Sequence, residues 1–136
     1  SGDAVLQSVE DRIAKWSRLP VTNGEPFYLL RYTEGQQYKP HHDYFHPELP
    51  GMDKYIGAAG QRTVTVLLYL ATPEEGGETV FPHNNKKVPA VKGDAVLFHS
   101  HTAAYNLDPN SLHGGMPVIS GTKYCATKWI RMASFY

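Results

Sequence analysis

The run Tyr38-Lys39-Pro40-His41-His42-Asp43-Tyr44-Phe45 concentrates imidazoles and a carboxylate within three positions. On a strand, residues two apart face the same way, so His41 and Asp43 are expected to present their side chains to one point while His42 faces away. A third imidazole from a distant strand completes a two-His, one-carboxylate facial set, which leaves coordination positions open on non-haem Fe(II). His113 is the candidate. His99 and His101 share a strand face by the same parity and are rivals for the distal position, ranked lower because no carboxylate accompanies them and because they close an apolar run. An isolated His-x-Asp is common by chance, so the pair gains weight only from its context.

A second pattern lies at Lys123-Tyr124-Cys125-Ala126-Thr127-Lys128-Trp129-Ile130-Arg131. Alternation puts Lys123, Cys125, Thr127, Trp129 and Arg131 on one face. A lysine aimed into a barrel needs an anionic partner, because an unpaired buried ammonium is strongly disfavoured. A carboxylate co-substrate beside the metal would supply one. A Lys123 solvated at the strand mouth is the competing arrangement.

These residues need elements to hold them. Val5, Leu6, Val9, Ile13 and Trp16 recur at three- and four-residue steps among Glu10, Asp11, Arg12 and Lys15, the pattern of an amphipathic helix. After Pro20, Asn23, Gly24 and Pro26 the chain reads as eight short strands near 27–32, 37–44, 62–70, 78–81, 87–89, 95–99, 111–118 and 122–131. That is a mainly β chain, a jelly roll with at least one flanking N-terminal helix. The 45–60 stretch, with Pro47, Pro50, Gly51, Gly57 and Gly60, is too long for a tight hairpin and is expected to be a lid-like loop, mobile until substrate arrives.

Composition narrows the function. The 136 residues, with nine Tyr, five Phe and two Trp, are enough for one core and leave no room for a second large domain. Thirteen basic side chains balance thirteen acidic ones, which gives no electrostatic reason to expect nucleic acid. No apolar run approaches the ~20 residues of a membrane span. The lone cysteine, Cys125, cannot form an internal disulfide.

Six blocks in register carry a family resemblance. Pro40 to Phe45, Gln61-Arg62-Thr63-Val64-Thr65, Glu75 to Pro82, Lys92-Gly93-Asp94-Ala95, Ser111-Leu112-His113-Gly114-Gly115, and Gly121-Thr122-Lys123 through Lys128-Trp129-Ile130 together resemble the prolyl 4-hydroxylases, especially the plant and algal type. The resemblance covers almost the whole chain. It implies a dioxygenase on a double-stranded β-helix that uses Fe(II), 2-oxoglutarate and O₂, with ascorbate as auxiliary reductant, and that hydroxylates C4 of peptidyl proline in proline-rich polypeptides while releasing succinate and CO₂. By the same resemblance His41, Asp43 and His113 hold iron, and Lys123 pairs with the distal carboxylate of 2-oxoglutarate. Tyr32 and Thr79 match the hydroxyls that help hold it, and Tyr38, Arg62 and Trp129 match positions lining a peptide groove. Strand parity places Arg131 beside Trp129 in that groove.

Two departures from the family stand out. Arg131 occupies a position where algal relatives commonly carry His, and the turn from His83 to Pro89 is shorter than the cysteine-bearing stretch usual there. The reading is a single catalytic domain over residues 1–136, with N-terminal family elements outside it and the endoplasmic reticulum lumen as the compartment that the resemblance suggests. Three rivals remain: the same oxygenase chemistry on a non-prolyl substrate, a zinc hydrolase using the His-Asp-His set, and a non-catalytic proline-rich peptide binding module.

Overall fold

Alternating polar and apolar residues arrange most of the chain into antiparallel strands, seen over residues 2–136 in a computed structural model. One four-stranded sheet has the order β1 (Tyr28–Tyr32), β10 (Lys123–Arg131), β3 (Arg62–Ala71), β7 (Ala95–His99). The other has β2 (Tyr38–His41), β8 (His113–Gly115), β5 (Thr79–Phe81), β6 (Lys86–Val88). A small ladder joins β4 (Glu75–Gly76) to β9 (Val118–Ser120). The two larger sheets face each other as the expected jelly roll and enclose a cleft between them.

Strand boundaries depart from the sequence reading for local reasons. The 111–118 strand divides into β8 and β9 around Met116-Pro117, where proline has no N–H to give a ladder. The 37–44 strand stops at His41, and His42, Asp43 and Tyr44 follow in a bend. Glu75–Gly76 adds a short strand that periodicity does not show.

The helix α1 (Ala4–Ser17) begins at Asp3, whose carboxylate accepts from the backbone N–H groups of Val5 and Leu6, and ends with Arg18 in the left-handed conformation. Ile13 packs with Val64, Val66 and Ile130, with Val9 alongside, but Trp16 is 52% exposed and Val5 is also outside. Glu10 accounts for the rotation: it turns inward to meet the buried Lys128 ammonium at 3.1 Å, which draws the helix round and leaves Trp16 in solvent. On the opposite face of the same sheet, Tyr69, Ala90 and Cys125 pack with Leu30, Tyr32, Leu67, Val88 and Val96. Among the described residues no helix is long and apolar enough to cross a membrane.

Candidate active site

β2 and β8 pair so that His41, the last residue of one, lies opposite His113, the first of the other. The two imidazoles are thereby set side by side, with ring centroids 4.5 Å apart. Gly114 permits this approach, since a Cβ there would lie 2.8 Å from the Tyr38 carbonyl oxygen and 3.0 Å from the Pro40 nitrogen. Asp43 enters from the bend after β2. Its Oδ1 is 3.2 Å from His41 Nε2 and its Oδ2 3.4 Å from His113 Nε2.

The ring orientations determine what this cluster can bind. His41 Nδ1 donates to the Lys39 carbonyl and His113 Nδ1 to the Ser111 carbonyl, both at 2.9 Å, so each ring, when neutral, turns the lone pair of Nε2 toward the common point. Thr65 Oγ1 donates to Asp43 Oδ2 at 2.8 Å and orients the carboxylate. One ligand atom from each of the three residues lies within 4.8 Å of the others. Three electron-pair donors facing one another fit a divalent cation, and the mixed imidazole and carboxylate set suits iron. Burial pushes His113 down, toward the neutral form a ligand needs. Burial alone would raise Asp43, but His41, His113 and Thr65 together hold its carboxyl below the ordinary value.

The rival histidines stand elsewhere. His42 donates to the Pro109 carbonyl and stacks on Tyr44, away from the three-residue cluster. His101 is hydrogen-bonded to Thr63 and stacks on Tyr105, and neither His99 nor His101 joins the three-residue cluster.

At the other end of the cleft Lys123, the first residue of β10, pairs in register with Tyr32, the last of β1. It is 3% exposed, with Nζ 5.2 Å from the Tyr32 ring centroid and 6.0 Å from that of Tyr69. No carboxylate comes within ion-pair distance of it among the described residues. Burial therefore pushes its ammonium down. Glycine at 115 keeps the approach open, because a Cβ there would lie 3.4 Å from Nζ. Thr79 lines the same end and is bonded to the Tyr69 hydroxyl at 2.7 Å. Burial raises both Tyr32 and Tyr69 above the ordinary phenol value, so their hydroxyls stay protonated and able to donate.

The cleft is also lined by Tyr28, Tyr38, Leu67, Thr127 and Trp129. Tyr38 stacks on His41 at 4.0 Å, and Trp129 leans on Tyr28 at 5.5 Å. The indole N–H of Trp129 is buried without a partner among the described residues, which marks it as a donor waiting for an acceptor.

The two arginines expected in the groove are not on its wall. Arg62 forms a two-point pair with Glu25, at 2.7 and 3.0 Å, and lies behind Trp129 with its guanidinium 3.9 Å from the ring. Arg131 departs further from the expectation. Its 4%-exposed side chain turns to the 45–60 segment, where it is taken up by the Tyr55, Ile56 and Gly60 carbonyls. That segment is not a bare loop: it contains α2 (Asp53–Ile56), and Gln61 ties down both backbone groups of Phe45 at its start. Thr65 and Tyr69 were missed in the sequence although alternation along β3 aims both inward. Glu25 lies in an irregular stretch with no periodic signal.

Comparison with known proteins agrees with this geometry. Residues 27–131 match the 2OG-Fe(II) oxygenase superfamily. Probable prolyl 4-hydroxylase 10 of Arabidopsis thaliana is 43% identical over 153 aligned positions, and Prolyl 4-hydroxylase 2 of the same plant is 42% identical over 154; both alignments take in 98% of this chain. The chain spans about half the length of these curated relatives, 51% and 50%. The viral collagen prolyl hydroxylase of Paramecium Bursaria Chlorella virus-1, solved as a 2OG complex, superposes with a TM-score of 0.72 at 33% identity, over 91% of this chain and 73% of the viral one. The chain therefore belongs to the 2OG-Fe(II) oxygenase superfamily and, within it, to the prolyl 4-hydroxylases.

Proposed function

We propose that this chain is a catalytic domain that hydroxylates peptidyl proline at C4. The observation that carries the reading is the layout of one cleft: three convergent metal donors toward one end, and a buried ammonium without an anionic partner at the other. A zinc hydrolase has no use for Lys123. A keto acid that chelates a metal at one end and carries a carboxylate at the other uses both.

Bound Fe(II), 2-oxoglutarate and O₂ supply the oxidation itself, with release of succinate and CO₂. The protein supplies geometry. His41, Asp43 and His113 hold the metal, while the Lys39 and Ser111 carbonyls and Thr65 fix the two ring tautomers and the carboxylate. Lys123 pairs with the distal carboxylate of the co-substrate, and the Tyr32 and Thr79 hydroxyls line its seat. Tyr28, Tyr38 and Trp129 form an aromatic wall suited to a polyproline II segment, whose ordering cost is already low. The Trp129 N–H is placed to donate to a peptide carbonyl, and Arg62 stiffens the ring from behind. Packing a peptide against this wall excludes water from the reacting carbon.

The test is mass spectrometry of a proline-rich peptide incubated with the protein, Fe(II), 2-oxoglutarate and ascorbate. One added oxygen on proline, with stoichiometric succinate, is the expected result. Succinate formed at the same rate with and without peptide points to another substrate, and peptide binding without turnover points to a binding module.

A further inference from the structure

We propose that Arg131 is a positioning residue that clamps the 53–60 segment, and that Glu25 and Arg62 connect this clamp to the cleft wall at Trp129. The effect on substrate rests on the peptide reading above; the clamp itself rests on geometry.

The Arg131 guanidinium spends its donors on one segment. Nε donates to the Gly60 carbonyl, and one terminal nitrogen donates to both the Tyr55 and Ile56 carbonyls, all at 2.7 Å. Tyr55 and Ile56 close the single turn of α2, and the Ile56 carbonyl accepts from the Gly60 N–H as well, so Arg131 ties the end of the turn and the residue that follows it to one point. With the side chain almost wholly buried, water does not compete for these bonds, and breaking them would leave the buried charge with only Glu25. A peptide could reach Arg131 only after all three bonds had broken.

The remaining terminal nitrogen lies 3.6 Å from Glu25 Oε2, the same oxygen that accepts from Arg62 Nε at 2.7 Å. One partly buried carboxylate thus joins the arginine that holds the segment to the arginine that backs Trp129. Both guanidinium groups also lie over the Phe45 ring, at 4.8 and 5.2 Å, two residues beyond Asp43. A planar fork is needed to reach three carbonyls and still face Glu25. Lysine keeps the charge but not that reach, and histidine has only two ring nitrogens.

Hydrogen exchange of the whole chain without peptide separates a clamp from a substrate contact. In Arg131→Lys, amides of the 53–60 segment are expected to exchange about tenfold faster than in the unaltered protein, and more so in Arg131→Ala, while the centres of β3 and β10 keep their protection. Peptide KM is expected to rise about tenfold in Arg131→Lys, with 2-oxoglutarate KM within about twofold. In a Trp16→Phe background, where Trp129 is the only indole, Glu25→Gln is expected to shift Trp129 emission and to loosen the segment partially. If Arg131→Ala does not fold, Arg131→Lys carries the test. Unchanged peptide-free exchange with raised peptide KM would make Arg131 a direct substrate contact and overturn the proposal. Faster exchange with unchanged peptide KM would leave a tie without a role in positioning, which overturns it equally. If the protein turns over no proline peptide at all, the functional reading fails, and peptide-free exchange together with Trp129 emission still decides the clamp.

Discussion

Thr65 makes one side-chain hydrogen bond, to the Asp43 oxygen that faces His113, and that bond decides where the carboxylate points. Thr65→Val keeps the shape and removes the donor. Metal affinity is expected to fall about tenfold, the usual loss when a ligand's supporting bond is removed, while the metal-free fold persists; anaerobic Fe(II) titration followed by thermal shift reads it. Lys123 carries an opposite trade. An ammonium buried without an anion weakens the ligand-free fold, so Lys123→Met is expected to raise the midpoint of ligand-free unfolding while raising apparent 2-oxoglutarate KM by about 10- to 100-fold. A lower midpoint, or an unchanged KM, would show that Lys123 has a partner other than the co-substrate. Proximity in the sequence brought His41 and Asp43 forward together, although β2 ends at His41 and the bend that follows, not strand alternation, aims Asp43. Thr65 was not singled out, because its importance comes from a partner 22 positions away.

The elements show where periodicity stops being informative. Alternation along 123–131 aims Lys123, Cys125, Thr127 and Trp129 into the cleft, but it does not reveal that the Tyr55, Ile56 and Gly60 carbonyls take up Arg131. Helical spacing found α1 and its Val9 and Ile13 contact but placed Val5 and Trp16 on the same buried stripe, since hydrophobicity could not foresee that Glu10 has a buried ammonium to meet. The Glu10 and Lys128 pair can be tested as a cycle. Glu10→Ala leaves Lys128 buried with only the Phe27 ring, 4.5 Å from Nζ, and is expected to cost about 3 kcal/mol by urea unfolding. Glu10→Leu combined with Lys128→Met should recover most of that loss, because an apolar pair has no charge to desolvate. Additive losses in the double variant would mean that the two side chains stabilise the helix independently.

At the scale of the whole molecule, the two sheets contribute unequally to the cleft, and ligand binding should reveal it. The three metal donors come from β2, β8 and the bend between β2 and α2, on one sheet, with Thr65 reaching across from the other. Lys123 and Tyr32 belong to the opposite sheet. Metal alone therefore ties three donors of one sheet, whereas a keto acid that chelates the metal and pairs with Lys123 spans both sheets. Fe(II) at 100 times its Kd, under anaerobic conditions, is expected to stabilise the fold by about 2.7 kcal/mol, a rise in Tm of roughly 10 °C for a chain of this size. Adding 2-oxoglutarate should give a second rise that depends on the first, because without metal the co-substrate loses its chelated end and keeps only the lysine pair. Lys123→Met should keep the increment from metal and lose most of the one from 2-oxoglutarate. Thr65→Val should do the reverse at limiting metal, shrinking the first increment and, through it, the second. A 2-oxoglutarate increment of full size without metal, or one that survives Lys123→Met, would place the co-substrate elsewhere and break the link between the two ends of the cleft.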